Sequence, residues 1–266
     1  MAETPSYEIY AVRYARHDRP ARENFLGGDP HDVNMPLDYF IWAIVGGGKS
    51  YVVDTGFGAA QAAKRKRELL RSPGDGLKAV GIDPASVETV ILTHMHYDHA
   101  GNLELFPNAT FHIQDREMMY CTGRCMCHPT LRDSFEPADV NAMINRLFAG
   151  RVKFHDGASE LAPGLSVHFI GGHTMGLQSV RVLTRRGWVV LASDACHLYA
   201  HIEQGRAFPI VFNVADMLEG HQTLKRLASS PRHIVPGHDP LVMQRYPAAR
   251  ADLATIVVRL DAEPNA

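Results

Sequence analysis

The chain has 266 residues, of which 45% are hydrophobic and 21% charged, with a formal net charge of −2. This is an ordinary globular composition, long enough for one large domain or two small ones, and so weak a charge argues against nucleic acid as a partner. No apolar run could cross a membrane, and residues 1–8 lack the basic start and apolar core of a signal peptide, so the expected location is cytoplasmic.

Residues 7–14 roughly alternate and predict an opening strand. Residues 17–37 are polar and rich in Pro and Gly, and predict a long N-terminal loop. Its Phe25-Leu26 pair is apolar enough to pack on a pocket or a partner. Residues 39–45 and 50–54, joined by Gly46-Gly47-Gly48, predict a hairpin of buried strands. It ends at Asp54-Thr55-Gly56. Asp54 suits either a turn carboxylate or a group that orients a metal-binding His. Residues 59–71 predict a helix on which the basic run at 64–67 reads as a solvated face. Residues 72–77 predict a break.

The apolar run Thr89-Val90-Ile91-Leu92 predicts a buried strand, and it runs straight into His94-Met95-His96-Tyr97-Asp98-His99. Four metal-ligand side chains within six residues, in the pattern H-x-H-x-D-H, suit zinc or a related divalent ion. The chain carries 15 His, an excess that metal binding would explain.

Beyond the cluster, residues 109–113 predict a strand and 114–120 a helix. Residues 121–136 hold Cys121, Cys125, Cys127, Arg124, His128 and Arg132 with no clean period. With Cys196, the four cysteines are too few and too bunched to staple a secreted domain, and they read as reduced thiols. The spacing is not that of a zinc ribbon, so pocket lining or buried thiols in the insertion is the expectation for the first three, and a place in the pocket wall for Cys196. Arg124 and Arg132 are candidates for holding a substrate carboxylate. Residues 137–150 predict an amphipathic helix. Strands are predicted at about 151–155, 165–170, 177–184, 188–193 and 233–236, and helices at 214–228 and 247–260. This alternation suits an α/β domain with helices on both outer faces of its sheets.

Three further ligand candidates each follow a predicted strand or a Gly turn. They are His173 in Gly171-Gly172-His173-Thr174, Asp194 at the end of residues 188–194, and His238 in Pro236-Gly237-His238-Asp239. The ordered set resembles the metallo-β-lactamase superfamily over roughly residues 39–240. Within it the chain looks like the N-acyl homoserine lactone lactonases and 4-pyridoxolactonases. It shares the Gly101-Asn102 pair after the cluster and a long insertion, at about 117–150, before His173.

The resemblance implies an αβ/βα four-layer sandwich of two mixed β-sheets flanked by helices, forming a single domain with its metals at one edge. It also implies two divalent ions, most simply Zn²⁺. One would be held by His94, His96 and His173, the other by Asp98, His99 and His238, with Asp194 bridging. A shared water, its pKa lowered towards about 7, would attack the carbonyl of a lactone, and Asp98 could shuttle the proton. Many such lactonases place a Tyr three residues after the bridging Asp, where this chain has His197. His197 and Tyr97 are the expected oxyanion and substrate contacts, though Tyr97 equally suits a packed aromatic. A homodimer through the loop at 17–37 and Phe25 is a further implication. The competing expectations are hydrolysis of a thioester, ester or amide on the same site, a diiron redox protein, and a non-catalytic binding protein. The diiron relatives carry a Glu within the cluster, which this chain lacks. The binding protein would have lost ligands.

Overall fold

The structure, a computed structural model, describes residues 6–31 and 33–265. Residues 1–5, read above for a leader, lie outside the described residues, as does Asp32 of the predicted loop. The first sheet contains β1 (Glu8–His17), β2 (Leu37–Gly46), β3 (Lys49–Val53), β4 (Glu68–Leu69), β5 (Thr89–Ile91), β6 (Thr110–Gln114) and β7 (Val152–His155). The second contains β8 (Ser159–Ala162), β9 (Leu165–Phe169), β10 (Gln178–Thr184), β11 (Gly187–Ser193) and β12 (Ile234–Pro236). A last strand, β13 (Val257–Arg259), returns to the first sheet and pairs antiparallel with β1. Both sheets are mixed. β3, β5, β6 and β7 run parallel, as do β11 and β12, while the other pairs are antiparallel.

The apolar run of β2 has no polar alternation because both of its faces are covered. Tyr39, Ile41 and Ala43 join a core beneath helices that carry Leu77, Met118 and Met143. Phe40, Trp42 and Ile44 point the other way, against Val167, Val180 and Leu191 of the second sheet. The far face of that sheet packs Val190 and Ala192 against Leu224 and Ile202 of two more helices. The layers are therefore helix, sheet, sheet, helix, as expected. Among the described residues no helix is long and apolar enough to cross a membrane.

Three local expectations are corrected, and for Phe25 the structure takes the pocket of the two alternatives. Residues 72–77 do not break a helix but start one, Pro73–Ala79. Ser72 accepts from the Asp75 amide as N-cap and Pro73 takes the first turn, where a missing N–H costs nothing. Gly76 is there for close approach, since a Cβ would collide with Val12 of β1. The predicted helix at 59–71 stops at Arg65, because Lys66 turns left-handed (φ 54°) and sends the chain into β4. The tail at 247–260 is not a helix. It holds a short 3-10 turn, Ala251–Leu253, and then β13, whose β-branched Val257 and Val258 are buried against β1. In the loop after β1, Phe25 is 3% exposed, edge-on to His201 and beneath the Arg206 guanidinium, so it fills a pocket of its own chain and is not free to meet a second copy.

One buried pair outside the ligand cluster predicts a pH effect. His112 Nδ1 and His155 Nε2 lie 3.0 Å apart in stacked rings, an arrangement that needs an uncharged acceptor nitrogen. Burial, then the neighbouring His155 and Lys153 charges, hold His112 down at about 4. The folded chain thus binds fewer protons than the unfolded one between the ordinary His value of 6.5 and about 4. Stability should be fully present above that window and fall as the pH drops through it. Melting temperatures across this range should fall for the parent protein and fall less steeply for His112→Gln. Parallel curves would discard the idea.

Candidate metal centre

The ends of the strands gather at one edge of the sandwich, and the ligand-type side chains project from there. His94 and His96 follow β5, Asp98 and His99 sit on the one-turn helix Tyr97–Ala100, and Asp194 follows β11. His173 lies in the connection from β9 to β10, and His238 follows β12. Among the described residues, ligand atoms lie within 4.8 Å of one another in His94–His96–His173, in Asp98–His99–His238, in His94–His99–Asp194 and in His173–Asp194–His197.

The Asp194 carboxylate stands between the first two groups and turns one oxygen to each. Its Oδ2 is 3.2 Å from His173 Nε2 and 3.9 Å from His94 Nε2. Its Oδ1 is 3.1 Å from His238 Nε2 and 3.3 Å from His99 Nε2. Asp98 Oδ2 completes the second group at 3.6 Å from His99 and 3.7 Å from His238. All of these residues are buried.

The outer contacts orient the rings. His173 Nδ1 donates to the Ile210 carbonyl (2.7 Å), His238 Nδ1 to the Asp38 carbonyl (3.0 Å) and His99 Nδ1 to Asp54 Oδ2 (2.7 Å). Each ring thereby keeps its proton on Nδ1 and offers the Nε2 lone pair inward. Two buried inward atoms, His99 Nε2 and Asp194 Oδ1, have no hydrogen-bond partner among the described residues. Such orphans are rare in a folded interior, and a divalent metal would satisfy both. Burial drives the His94 and His96 pKa values well below normal, which leaves the neutral imidazoles a metal needs. Burial opposes charge on His99 as well, but Asp194, Asp98 and Asp54 outweigh it and hold its pKa well above normal. Burial likewise works against the Asp194 charge, yet His238, His99 and His197 keep that carboxyl well below the usual range. The donor set fits two divalent ions.

A family model described as the metallo-beta-lactamase superfamily matches residues 35–244. The chain belongs to that superfamily. An N-acyl homoserine lactonase AttM of Azorhizobium caulinodans is 32% identical over 177 residues, which span 62% of each chain. An N-acyl homoserine lactonase of Bacillus cereus is 29% identical over 165 residues, 61% of this chain and 60% of that one. The chain thus matches less than two thirds of the length of these relatives. Among solved structures, a quorum-quenching N-acyl homoserine lactone lactonase shares the fold with a TM-score of 0.74 at 22% identity, covering 90% of this chain and 95% of that one. AidC, a dizinc quorum-quenching lactonase, has a TM-score of 0.71 at 17% identity, covering 90% and 89%.

The metallo-beta-lactamase frame of this chain also relies on Asp54, read above as a turn or orienting carboxylate, and on Ser193 and Glu117, which the sequence did not single out. Asp54 sits at φ 61°, unusual for a side-chain-bearing residue, and accepts from the Thr93 amide (2.7 Å) and hydroxyl (2.8 Å) besides His99. Ser193, just before Asp194, is also left-handed (φ 48°) and bonds Thr93 Oγ1 at 2.8 Å. Glu117, fully buried in the helix Asp115–Thr122, ties two ligand loops together. It accepts from the Met95 amide (2.9 Å), the Thr174 hydroxyl (2.6 Å) and the Gly176 amide (3.0 Å). Gly176 is required for that approach, because a Cβ there would strike the Glu117 backbone.

The predicted substrate contacts are spread more widely. His197 and Tyr97 line a small cavity over the cluster. His197 Nε2 is 2.9 Å from Asp194 Oδ2, and its ring stacks on Phe208 at 3.6 Å, so its polar edge is turned to the carboxylate. Tyr97 is 5% exposed, tilted on Phe57, with Arg65 over its ring. Arg132 is exposed and lines a neighbouring cleft of about 600 Å³ with Cys121, Met126 and Phe135, which none of the seven ligand-type residues touches. A second cleft, of about 470 Å³, lies between Tyr120, Leu131, Pro209 and Val211 and reaches His96 and His173. Arg124 is exposed and lines neither cleft nor the cavity. All four cysteines are free. Cys196 is packed in the core with Val190 and Ala192 and lines neither of these clefts nor the cavity.

The basic run at 64–67 is the largest departure from expectation. Lys64 faces solvent and pairs with Glu136, but Arg65 and Arg67 turn inward and line the cavity over the cluster. The left-handed Lys66 that ends the helix makes this reversal.

Proposed function

We propose that this protein is a dinuclear metal hydrolase that opens a lactone ring. The observation that carries the reading is the Asp194 carboxylate, with one oxygen facing His94 and His173 and the other facing His99 and His238. In this reading His94, His96 and His173 hold one ion, Asp98, His99 and His238 the other, and Asp194 both. Two such ions supply Lewis acidity and an ionised water at neutral pH.

The chain's own groups do the rest. Asp98 would carry the proton of the added water to the alkoxide that leaves when the ring C–O bond breaks. Asp54, Asp38 and Ile210 fix the rings that hold the metals. His197 steadies Asp194 and, with Tyr97, contacts the substrate from the cavity wall. The substrate lies in the cleft that reaches His96 and His173, with Arg132 and Arg124 further out on the insertion. The names of the relatives, N-acyl homoserine lactonases, support a lactone over other carbonyl substrates. Zinc suits the nitrogen-rich donor set, and the four free cysteines suit a reducing cytoplasm. Pairing of two copies through the loop at 17–37 draws support from exposed Leu26 and Val33.

The test is a panel of N-acyl homoserine lactones, small catabolic lactones, linear esters, thioesters and β-lactams, assayed with zinc-loaded enzyme. At least one lactone should exceed every open-chain ester and thioester in kcat/KM by tenfold or more. A thioester or β-lactam turned over faster than every lactone would reassign the substrate class.

A further inference from the structure

We infer that Arg67, flanked by Arg19, binds a carboxylate carried by the lactone substrate, which makes the substrate an anionic lactone. The inference rests on the lactonase reading above. Arg19, Arg65 and Arg67 line the same cavity, of about 80 Å³, as His96, Asp194 and His238. Three guanidiniums facing a site already built for dications is an unfavourable arrangement unless something negative enters it.

The three differ in how they are neutralised. Arg65 is satisfied by Glu136 at 2.8 Å, with both side chains largely buried. Among the described residues the only acidic partner of Arg19 is Glu23, at 3.7 Å and half-exposed, whose carbonyl also accepts from Arg19 Nη2, while the buried Arg19 Nε has no hydrogen-bond partner. Arg67 forms no ion pair among the described residues. Its Nε donates to the Tyr97 hydroxyl (3.3 Å), and its Nη1 donates to His17 Nε2 (3.1 Å) and the Arg65 carbonyl (2.6 Å). Every one of those partners is neutral. His17 is kept so by burial and by the Arg67 charge, which hold its pKa down at about 4. Burial opposes the Arg67 charge, but Tyr39, Tyr97 and then Asp98 favour it and leave its pKa raised, and the one carboxylate among them, Asp98, is itself assigned to a metal. Asp133, which also lines the cavity, is exposed.

The Arg67 guanidinium is thus oriented by neutral groups, half-buried, and part of the lining of the reaction cavity, with no ion pair among the described residues. That is the arrangement of a receptor for a carboxylate, which a guanidinium can grip through two parallel hydrogen bonds. The cavity shares His96, Ser134 and His173 with the 470 Å³ cleft. A ring whose carbonyl sits at the metals can therefore place a short carboxylate arm at Arg67 and leave its remainder in the cleft.

The experiment compares zinc-loaded parent protein, Arg67→Met and Arg67→Lys on a γ-lactone bearing a carboxylate and on the methyl ester of that acid. The parent should prefer the carboxylate by roughly 10–100-fold in kcat/KM, the range expected of a hydrogen bond to a charged group. Arg67→Met should bring that ratio towards one, mainly through KM, and Arg67→Lys should keep part of it. Equal use of both lactones by the parent, or a loss of both in the same proportion in Arg67→Met, would overturn the inference. Calorimetric binding of the ring-opened hydroxy diacid gives a reading independent of turnover. Affinity lost in Arg67→Met and partly kept in Arg67→Lys supports the carboxylate site, and equal affinity in all three overturns it. If the parent binds the diacid through Arg67 yet opens no lactone, the lactonase reading fails and the anion site stands.

Discussion

Asp194→Asn is expected to cost more activity than any other single change at this site. The side chain is buried among His94, His99, His173, His197 and His238, and each of its oxygens serves a different ligand group. An amide keeps the shape but removes the charge, and it turns an NH2 towards imidazole nitrogens that should face a metal. Losing a partner in the outer shell of a metal site typically costs 10–100-fold in affinity or activity. Losing the carboxylate between both groups should cost more than that in kcat/KM, and zinc content should fall from two ions per chain to one or none. Elemental analysis alongside lactone hydrolysis checks this. A folded Asp194→Asn protein with full zinc and activity within tenfold of the parent would show that Asp194 does not hold the metals.

Glu117→Ala should give the largest loss of stability. Glu117 has no exposed surface, and truncating it strands the Met95 amide, the Thr174 hydroxyl and the Gly176 amide in the interior. A buried donor left unmade costs about 1–3 kcal/mol, so the sum is roughly 3–5 kcal/mol after partial relaxation. For a chain of this size each kcal/mol moves Tm by roughly 2–4 °C, which makes a drop of about 10 °C the expected result. Met95 lies between His94 and His96, and Thr174 follows His173, so the loss should also weaken zinc binding. Glu117→Gln should fall between, because one amide oxygen cannot accept from all three donors. A calorimetric shift under 3 °C for Glu117→Ala would mean that the two ligand loops hold their places without it.

The contrast between these two residues explains what could be read from the sequence. Asp194 announced itself because a buried strand, Val189-Val190-Leu191-Ala192, ends just before it, and strand ends are where a fold fixes side chains rigidly. The run from His94 to His99, and His173 and His238 in their Gly turns, carried the same signal. Glu117 carried none. An acid in the first turn of a helix is ordinary, and only the tertiary approach of Gly176 makes it a tie between loops.

Arg67 was hidden for a related reason. Four consecutive basic residues fit a solvated helix face, and the left-handed Lys66 that turns Arg67 inward leaves no mark in composition. The helix Pro73–Ala79 was masked by Gly74, packed near Leu105 and Pro84, and by Gly76, whose role is close approach to β1 and not flexibility. β13 was missed because a three-residue edge strand is too short to show a period. The layered core was legible, since runs such as residues 39–45 admit few other placements.

The central claim is that one carboxylate serves two metal ions and that both are needed. Its most direct test is titration of metal-free protein with zinc while lactone hydrolysis and bound metal are followed together. Activity should keep rising until two equivalents are bound per chain. Full activity at one equivalent, or a tightly bound iron pair with redox activity and no hydrolysis, would contradict it.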